Sequence, residues 1–155
     1  ITAMPMYSML PWPFWASFFV RKNSVLMVGI GGGAGAALRW WIGDMYSTLQ
    51  ARRAPQGQRR TDSPPIPWPT MIANVLACFL LGLVVVNLGS ADGAAAFAYL
   101  LLAVGFCGGL STLSTAALDA AQLVRGGSSV LATGYTLLTI GLCMAGLWLG
   151  VVIAS

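Results

Sequence analysis

The chain has 155 residues, of which 57% are hydrophobic and only 8% are charged, with a formal net charge of +4. Soluble domains carry about 25% charged residues, so this composition excludes an ordinary water-facing surface and predicts an all-α membrane protein. The chain has no His and no Glu, which removes the usual general bases and argues against an enzyme. Its basic residues lie beside apolar runs, so membrane lipid rather than nucleic acid is the expected partner.

Four apolar stretches are long enough to cross a bilayer, which needs roughly 20 residues. Residues 1–23 are rich in aromatic residues and interrupted by prolines, and are predicted to form an N-terminal interfacial segment before a four-span domain at 24–155. The spans are predicted at 24–46, 70–88, 94–123 and 129–153, with an arginine-rich loop at 50–69 outside the membrane.

The first span combines small residues with a cation. Glycines four residues apart let helices approach closely, and the span offers two such pairs, Gly29 with Gly33 and Gly31 with Gly35. A cation at the membrane centre costs about 2.5–3.5 kcal/mol. We therefore expect Arg39 either to reach for the nearer interface or to hold a structural network together.

Polar side chains occur in pairs on the second and fourth spans. Thr70 and Asn74 are four residues apart and so share a helix face, as do Tyr135 and Thr139. Alone, each of these residues could simply hydrogen-bond a neighbouring helix. Together they indicate a polar track through the membrane.

The third span contains the stretch "GFCGGLSTLSTAALDA", in which two glycines precede four hydroxyl residues. Gly108 and Gly109 followed by Ser111 and Thr112 predict a break in the helix, which frees backbone groups from their helical partners. In lipid such groups must be satisfied by the protein, a cavity or an ion. Freed carbonyls suit a small cation, whereas amides and hydroxyls suit an anion. The alternative is a kink used only for packing.

Three blocks resemble the Fluc (CrcB) family of fluoride channels and occur in that family's order: "GGGAGAALRWWIGD", "PTMIANVLACFLLG" and "GFCGGLSTLSTAALDA". The resemblance implies four-span subunits that pair antiparallel as a dual-topology dimer in the plasma membrane of a prokaryote. Fluoride would leak out of the cell through narrow pores, which lowers cytoplasmic fluoride. The resemblance also implies a structural sodium ion, not transported, held at the dimer centre by the main-chain carbonyls of Gly108 and Ser111.

The resemblance places the fluoride path along side chains that can donate hydrogen bonds: Thr70, Asn74, Ser114, Thr115, Tyr135 and Thr139. Donors can replace the water around a small anion, whereas a fixed positive charge would bind it too tightly to release it. Two features depart from the family. Asp119 stands where the family commonly has Glu, and Leu113 and Ala116 replace two pore phenylalanines. Neither replacement offers the partly positive ring edge that can face an anion.

Three functions remain open. The chain is a fluoride channel subunit, a non-conducting or accessory partner in a heterodimeric fluoride channel, or a small multidrug exporter, although such exporters normally need a membrane Glu. Basic residues favour the cytoplasmic side of short loops and are unevenly distributed here, which predicts one orientation and a second, oppositely oriented chain. The rival is a homodimer in which Leu and Ala replace the rings. Two basic residues, Arg21 and Lys22, lie on one side, against five on the other: Arg52, Arg53, Arg59, Arg60 and Arg125.

Overall fold

The computed structural model describes residues 14–53, 66–90 and 94–155, with side chains from residue 23 to 52 in the first range. Within these residues the chain is helical and contains no strand. The helices are α1 (Phe14–Arg53), α2 (Trp68–Leu88), α3 (Ala94–Tyr99), α4 (Gly108–Leu110), α5 (Leu113–Arg125) and α6 (Ser129–Ala154), with a π-helix (Leu100–Cys107) joining α3 to α4.

Four segments are long and apolar enough to cross a membrane: Asn23–Arg52, Trp68–Leu88, Ala94–Arg125 and Ser129–Ala154. The predicted all-α fold with four spans is confirmed. α1 extends beyond 24–46 at both ends, so it includes the last ten residues of the predicted interfacial segment and the first four of the predicted loop. Residues 1–13 and 54–65 of those two segments lie outside the described residues.

α2 begins at Trp68, two residues before the predicted start, because prolines fit the first turn of a helix. Pro67 is the N-cap residue and Pro69 follows within the first turn. Proline lacks an N–H and has a fixed φ, and both properties are tolerated where the helix has no internal partner for that N–H.

The third span is broken at mid-length, as the sequence predicts, but the break falls after the glycines. Gly108 keeps helical angles of φ −65° and ψ −38°. The extended residues are Ser111, at φ −75° and ψ 147°, and Thr112, at φ −152° and ψ 110°. Thr112 then caps α5, since its Oγ1 accepts the Thr115 backbone N–H at 3.2 Å. The hydroxyl residues therefore make the break, and the glycines do not.

The glycines of α1 pack it against the third span. A side chain at Gly31 would collide with the Leu101 carbonyl, and one at Gly35 with the backbone of α4, so close approach through this pair is confirmed. A side chain added at Gly29 or Gly33 would meet nothing within 4 Å among the described residues, so the second predicted pair makes no such contact there. Their α1 face points away from the third span.

Gly31→Ala is expected to destabilise the protein, whereas Gly29→Ala is not. The new methyl group at residue 31 meets backbone that cannot rotate away, and overpacking of this kind costs about 1–3 kcal/mol. Alanine at residue 29 is instead expected to stabilise α1 by about 0.5–1 kcal/mol, because alanine has a higher helix propensity than glycine. Thermal unfolding in detergent measures both variants. Equal midpoints for the two would contradict the assigned α1 face.

α2 and α6 make the most extensive helix contact of the described chain. Gly82 packs directly on α6, where a side chain would strike the Leu147 carbonyl. One buried cluster joins Met71, Leu123, Ala132 and Tyr135, and a second joins Ala73, Ala77 and Leu110 at the end of α4. Large apolar side chains cover the outside, which suits contact with lipid.

Candidate functional site

The Asn74 side chain holds the break in the third span. Its Oδ1 accepts the Thr112 backbone N–H at 2.7 Å and the Ser111 hydroxyl at 3.1 Å. Its Nδ2 donates to the Thr112 carbonyl at 3.3 Å. Asn74 is only 6% exposed, so this amide supplies from α2 the partners that the interrupted helix has lost.

These bonds leave one hydrogen-bond donor of the Asn74 side chain unused. A primary amide has two N–H donors and one carbonyl oxygen that accepts two bonds. Both acceptor positions and one donor are taken by the two residues of the break. The orientation of the amide is thereby fixed, and one N–H remains to be donated elsewhere.

The break also frees the two carbonyls, of Gly108 and Ser111, at which the family resemblance implies a sodium ion. In an unbroken helix the Gly108 carbonyl would accept the Thr112 N–H, but that N–H goes to Asn74. The Ser111 carbonyl would accept the Thr115 N–H, but that N–H goes to the Thr112 hydroxyl. Both carbonyls therefore lose their helical donors, as a cation site built from main-chain oxygens requires.

A cavity of about 300 Å³, here called the polar cavity, lies between α2, α5 and α6. It brings together three predicted pore residues, Asn74, Tyr135 and Thr139, with the two residues at the family's phenylalanine positions, Leu113 and Ala116. No charged side chain is among its lining residues. The remaining lining residues are Ser111, Ala117, Thr136, Ile140, Cys143 and Met144.

The hydroxyls around the polar cavity differ in what they can donate. Thr139 donates to the Tyr135 carbonyl at 2.7 Å, so its proton is engaged within α6. Tyr135 is 5% exposed. Its hydroxyl and Asp119 Oδ2 are both buried, and neither makes a hydrogen bond of good geometry within the described residues. Asp119 nevertheless lies close enough to Tyr135 to compete for its proton. Tyr135 is therefore a second donor, which the polar cavity shares with Asp119.

The other predicted pore residues lie elsewhere. Thr70 and Thr115 line a second cavity of about 290 Å³ together with Arg39. Ser114 is exposed and its Oγ lies 3.1 Å from the Thr112 Oγ1, which also bonds the Thr115 hydroxyl at 3.0 Å. Within one chain the predicted track is thus distributed over two cavities, with Ser114 in neither.

Sequence reasoning missed five lining residues: Thr136, which carries a hydroxyl, Cys143, which carries a thiol, and the apolar Ala117, Ile140 and Met144. Thr136 follows Tyr135 directly and its hydroxyl donates to the Ala132 carbonyl at 2.9 Å, so it contributes no free proton. Cys143 lies four residues after Thr139, on the same face of α6. This spacing could have indicated that Cys143 faces the same cavity as Thr139. Cysteine was instead interpreted as a small apolar residue of the span.

Comparison with known proteins agrees with this architecture. Residues 26–151 match the family model described as CrcB-like protein, Camphor Resistance (CrcB). A protein of Rhizobium leguminosarum bv. trifolii is 33% identical over 128 residues, covering 83% of this chain and 93% of the relative. One of Coxiella burnetii is 30% identical over 131 residues, covering 84% and 96%. One of Cereibacter sphaeroides is 35% identical over 128 residues, covering 83% and 91%.

All three relatives carry the name fluoride-specific ion channel FluC. The match includes all four spans and the broken third span, and the relatives are covered over almost their whole length. The chain is a multi-pass membrane protein, and it belongs to the CrcB-like family.

Proposed function

We propose that this chain is a subunit of a fluoride-selective channel in the cell membrane of a bacterium. The observation that carries the proposal is the polar cavity, which is lined by Asn74 with its spare N–H and by Tyr135 with its hydroxyl, and which has no charged side chain among its lining residues. Such donors replace the hydration of a small anion and still let it leave. The names of the relatives point to the same ion.

The second cavity fits the mouth of such a path. It places the Arg39 cation beside the hydroxyls of Thr70 and Thr115. A cation at an entrance raises the local concentration of anions, whereas in a narrow pore it would hold them. We propose this role for Arg39.

Fluoride moves passively in this proposal, and the membrane potential gives the direction. A potential of 100 mV is worth about 2.3 kcal/mol for one charge. With the cytoplasm negative, an anion that finds an open path leaves the cell. The channel thereby lowers cytoplasmic fluoride and confers fluoride resistance.

Fluoride efflux from liposomes tests the function. The full chain is reconstituted alone and as the Leu113→Phe/Ala116→Phe variant, which restores the family's rings. We expect the chain to release fluoride and not chloride in one of these two forms or together with a co-reconstituted related chain, as followed with a fluoride electrode. Chloride release at a similar rate, or no fluoride release from either form with or without the related chain, would reject the assignment.

We further propose that Gly108 and Ser111 contribute their carbonyls to a structural sodium ion at the centre of an antiparallel dimer. Both carbonyls have lost their helical donors. Among the described residues no group of three His, Cys, Asp or Glu side chains is placed to hold a metal, so a monovalent ion held by neutral oxygens fits best. The ion would link two copies of the break and take no part in transport.

Sodium is expected to stabilise the dimer. A ligand that binds only the folded state adds about 3 kcal/mol of stability at roughly 100 times its Kd. Thermal unfolding of the detergent-solubilised protein is compared in sodium chloride and in N-methylglucamine chloride at equal ionic strength. The midpoint should rise with sodium and not with the larger cation. Identical curves would remove sodium from the site.

The accessory-subunit function has its own support. Leu113 and Ala116 line the polar cavity, and Leu113 is 84% exposed, so the surface where the family has rings is aliphatic here. A partner chain that carries the rings would complete an asymmetric pair. Flux measured with and without such a partner separates this function from that of a self-sufficient homodimer.

A further inference from the structure

Two of the three cysteines meet in the interface between α2 and α6, and the fluoride path does not use their thiols. Cys78 lies on α2 and Cys143 on α6, and both are free and half-buried. The register of the two helices places Cys143 opposite Cys78, since Asn74 and Thr139 line one cavity a turn earlier and Gly82 packs on Leu147 a turn later. Cys143 also lines the polar cavity, so the pair is reached from that side.

The neighbouring turns of both helices fix this arrangement. One turn after the cysteines, Gly82 packs on the Leu147 carbonyl so closely that a side chain would not fit. One turn before them, Asn74 and Thr139 line the same cavity. Residues four apart share a helix face, so each cysteine lies between two points at which α2 and α6 already meet.

We propose that the thiols of Cys78 and Cys143 form a two-coordinate site for a soft divalent cation, with mercury(II) as the matching ion. Thiolates prefer soft cations. On binding, two S–H bonds break, two Hg–S bonds form, and both protons pass to water. No third ligand is at hand, because no group of three His, Cys, Asp or Glu side chains is placed to hold a metal in the described part of the chain.

Charge selects a divalent ion for this pair. Two thiolates and one divalent cation form a neutral complex, and a neutral complex avoids the cost of burying charge in the membrane. A soft monovalent ion such as copper(I) would leave one negative charge. That charge would lie beside a cavity lined by no cation.

The bound ion would cross-link α2 to α6 at the wall of the polar cavity. Since Cys143 lines that cavity, occupation of the site is expected to stop fluoride flux. This consequence rests on the proposed channel function, whereas binding of the ion does not.

Mercury retention tests the site. Purified full-length protein in detergent is loaded with one equivalent of mercury(II) chloride, washed with excess 2-mercaptoethanol and desalted before elemental analysis. A pair of thiols outcompetes a monothiol through its effective concentration, whereas a single thiol does not. Cys107 also lies near Cys78, so Cys107→Ser excludes the competing pair of these two thiols. Wild type and Cys107→Ser should each keep about one mercury per chain, and Cys78→Ser and Cys143→Ser about tenfold less. Loss of mercury from Cys107→Ser with retention by Cys143→Ser would move the site to the competing pair and overturn the proposal.

A thiol count on the wild type gives a second readout that needs no variant. Of the three thiols in the chain, only that of the buried Cys107 should still react with a thiol reagent after loading, measured in sodium dodecyl sulfate so that the reagent reaches it. Three reactive thiols, or equal mercury retention by all four proteins, would overturn the site. Neither readout measures fluoride, so a failed site and a failed channel assignment are distinguishable.

Discussion

Asn74→Asp is expected to abolish fluoride flux. The substitution removes the one unused N–H and puts a negative charge in the polar cavity. Two like charges about 4 Å apart repel by about 4 kcal/mol at an effective dielectric constant of about 20. Flux through a conducting preparation should therefore fall at least about 100-fold, as measured by fluoride efflux from liposomes.

The same substitution also disturbs the break. An Asp oxygen in place of Nδ2 would face the Thr112 carbonyl, so two acceptors oppose each other where a bond existed. Asn87→Asp is the matched control, because Asn87 lies on the same helix, is exposed and donates to the Leu83 carbonyl. It should keep wild-type flux. Normal flux in Asn74→Asp, with the protein inserted in liposomes, would exclude Asn74 from the path.

The second large effect concerns the partner. We expect the wild-type chain alone to conduct little fluoride and to insert mainly in one orientation, with its first loop in the cytoplasm. A co-expressed relative that carries phenylalanines at the positions of Leu113 and Ala116 should restore flux. The Leu113→Phe/Ala116→Phe variant separates the two requirements, since it supplies rings without changing the basic residues of the loops.

Reporter fusions at the C-terminus measure the orientation, and efflux measures the dependence on a partner. The two readouts are independent. Full fluoride flux from the wild-type chain alone, together with an even split of orientations, would refute the heterodimer. Flux from the double phenylalanine variant alone would show that the wild-type chain lacks only the aromatic rings. An oppositely oriented partner would then not be required for conduction.

The sequence was sufficient for the span count and for the existence of the break, because both follow from apolar length and from hydroxyl residues after glycines. It was insufficient for the position of the break. Gly108 and Gly109 looked like the cause, yet Gly109 is committed to packing against Gly32, and the extended residues follow two positions later. The N–H that gives up its helical hydrogen bond is that of Thr112, because Asn74 on the neighbouring helix accepts it.

The candidate site was predictable in its residue types and not in its grouping. Helix periodicity correctly put Tyr135 and Thr139 on one face, and both line the polar cavity. The same rule put Thr70 beside Asn74, but α1 and α5 close a separate cavity around Thr70. Which helices surround a given turn depends on glycine contacts far apart in sequence, such as Gly35 against α4.

The bonds from Asn74 have a consequence for biogenesis. They satisfy the Thr112 N–H and carbonyl within a single chain, so these groups need neither a second subunit nor an ion. A newly inserted copy therefore carries no unpaired Thr112 backbone group into the hydrocarbon, where each would cost several kcal/mol. The Gly108 and Ser111 carbonyls are what the single chain leaves unsatisfied. In the proposed antiparallel dimer, pairing would therefore complete at these two carbonyls what Asn74 begins within each chain, so folding and pairing of the break are successive steps.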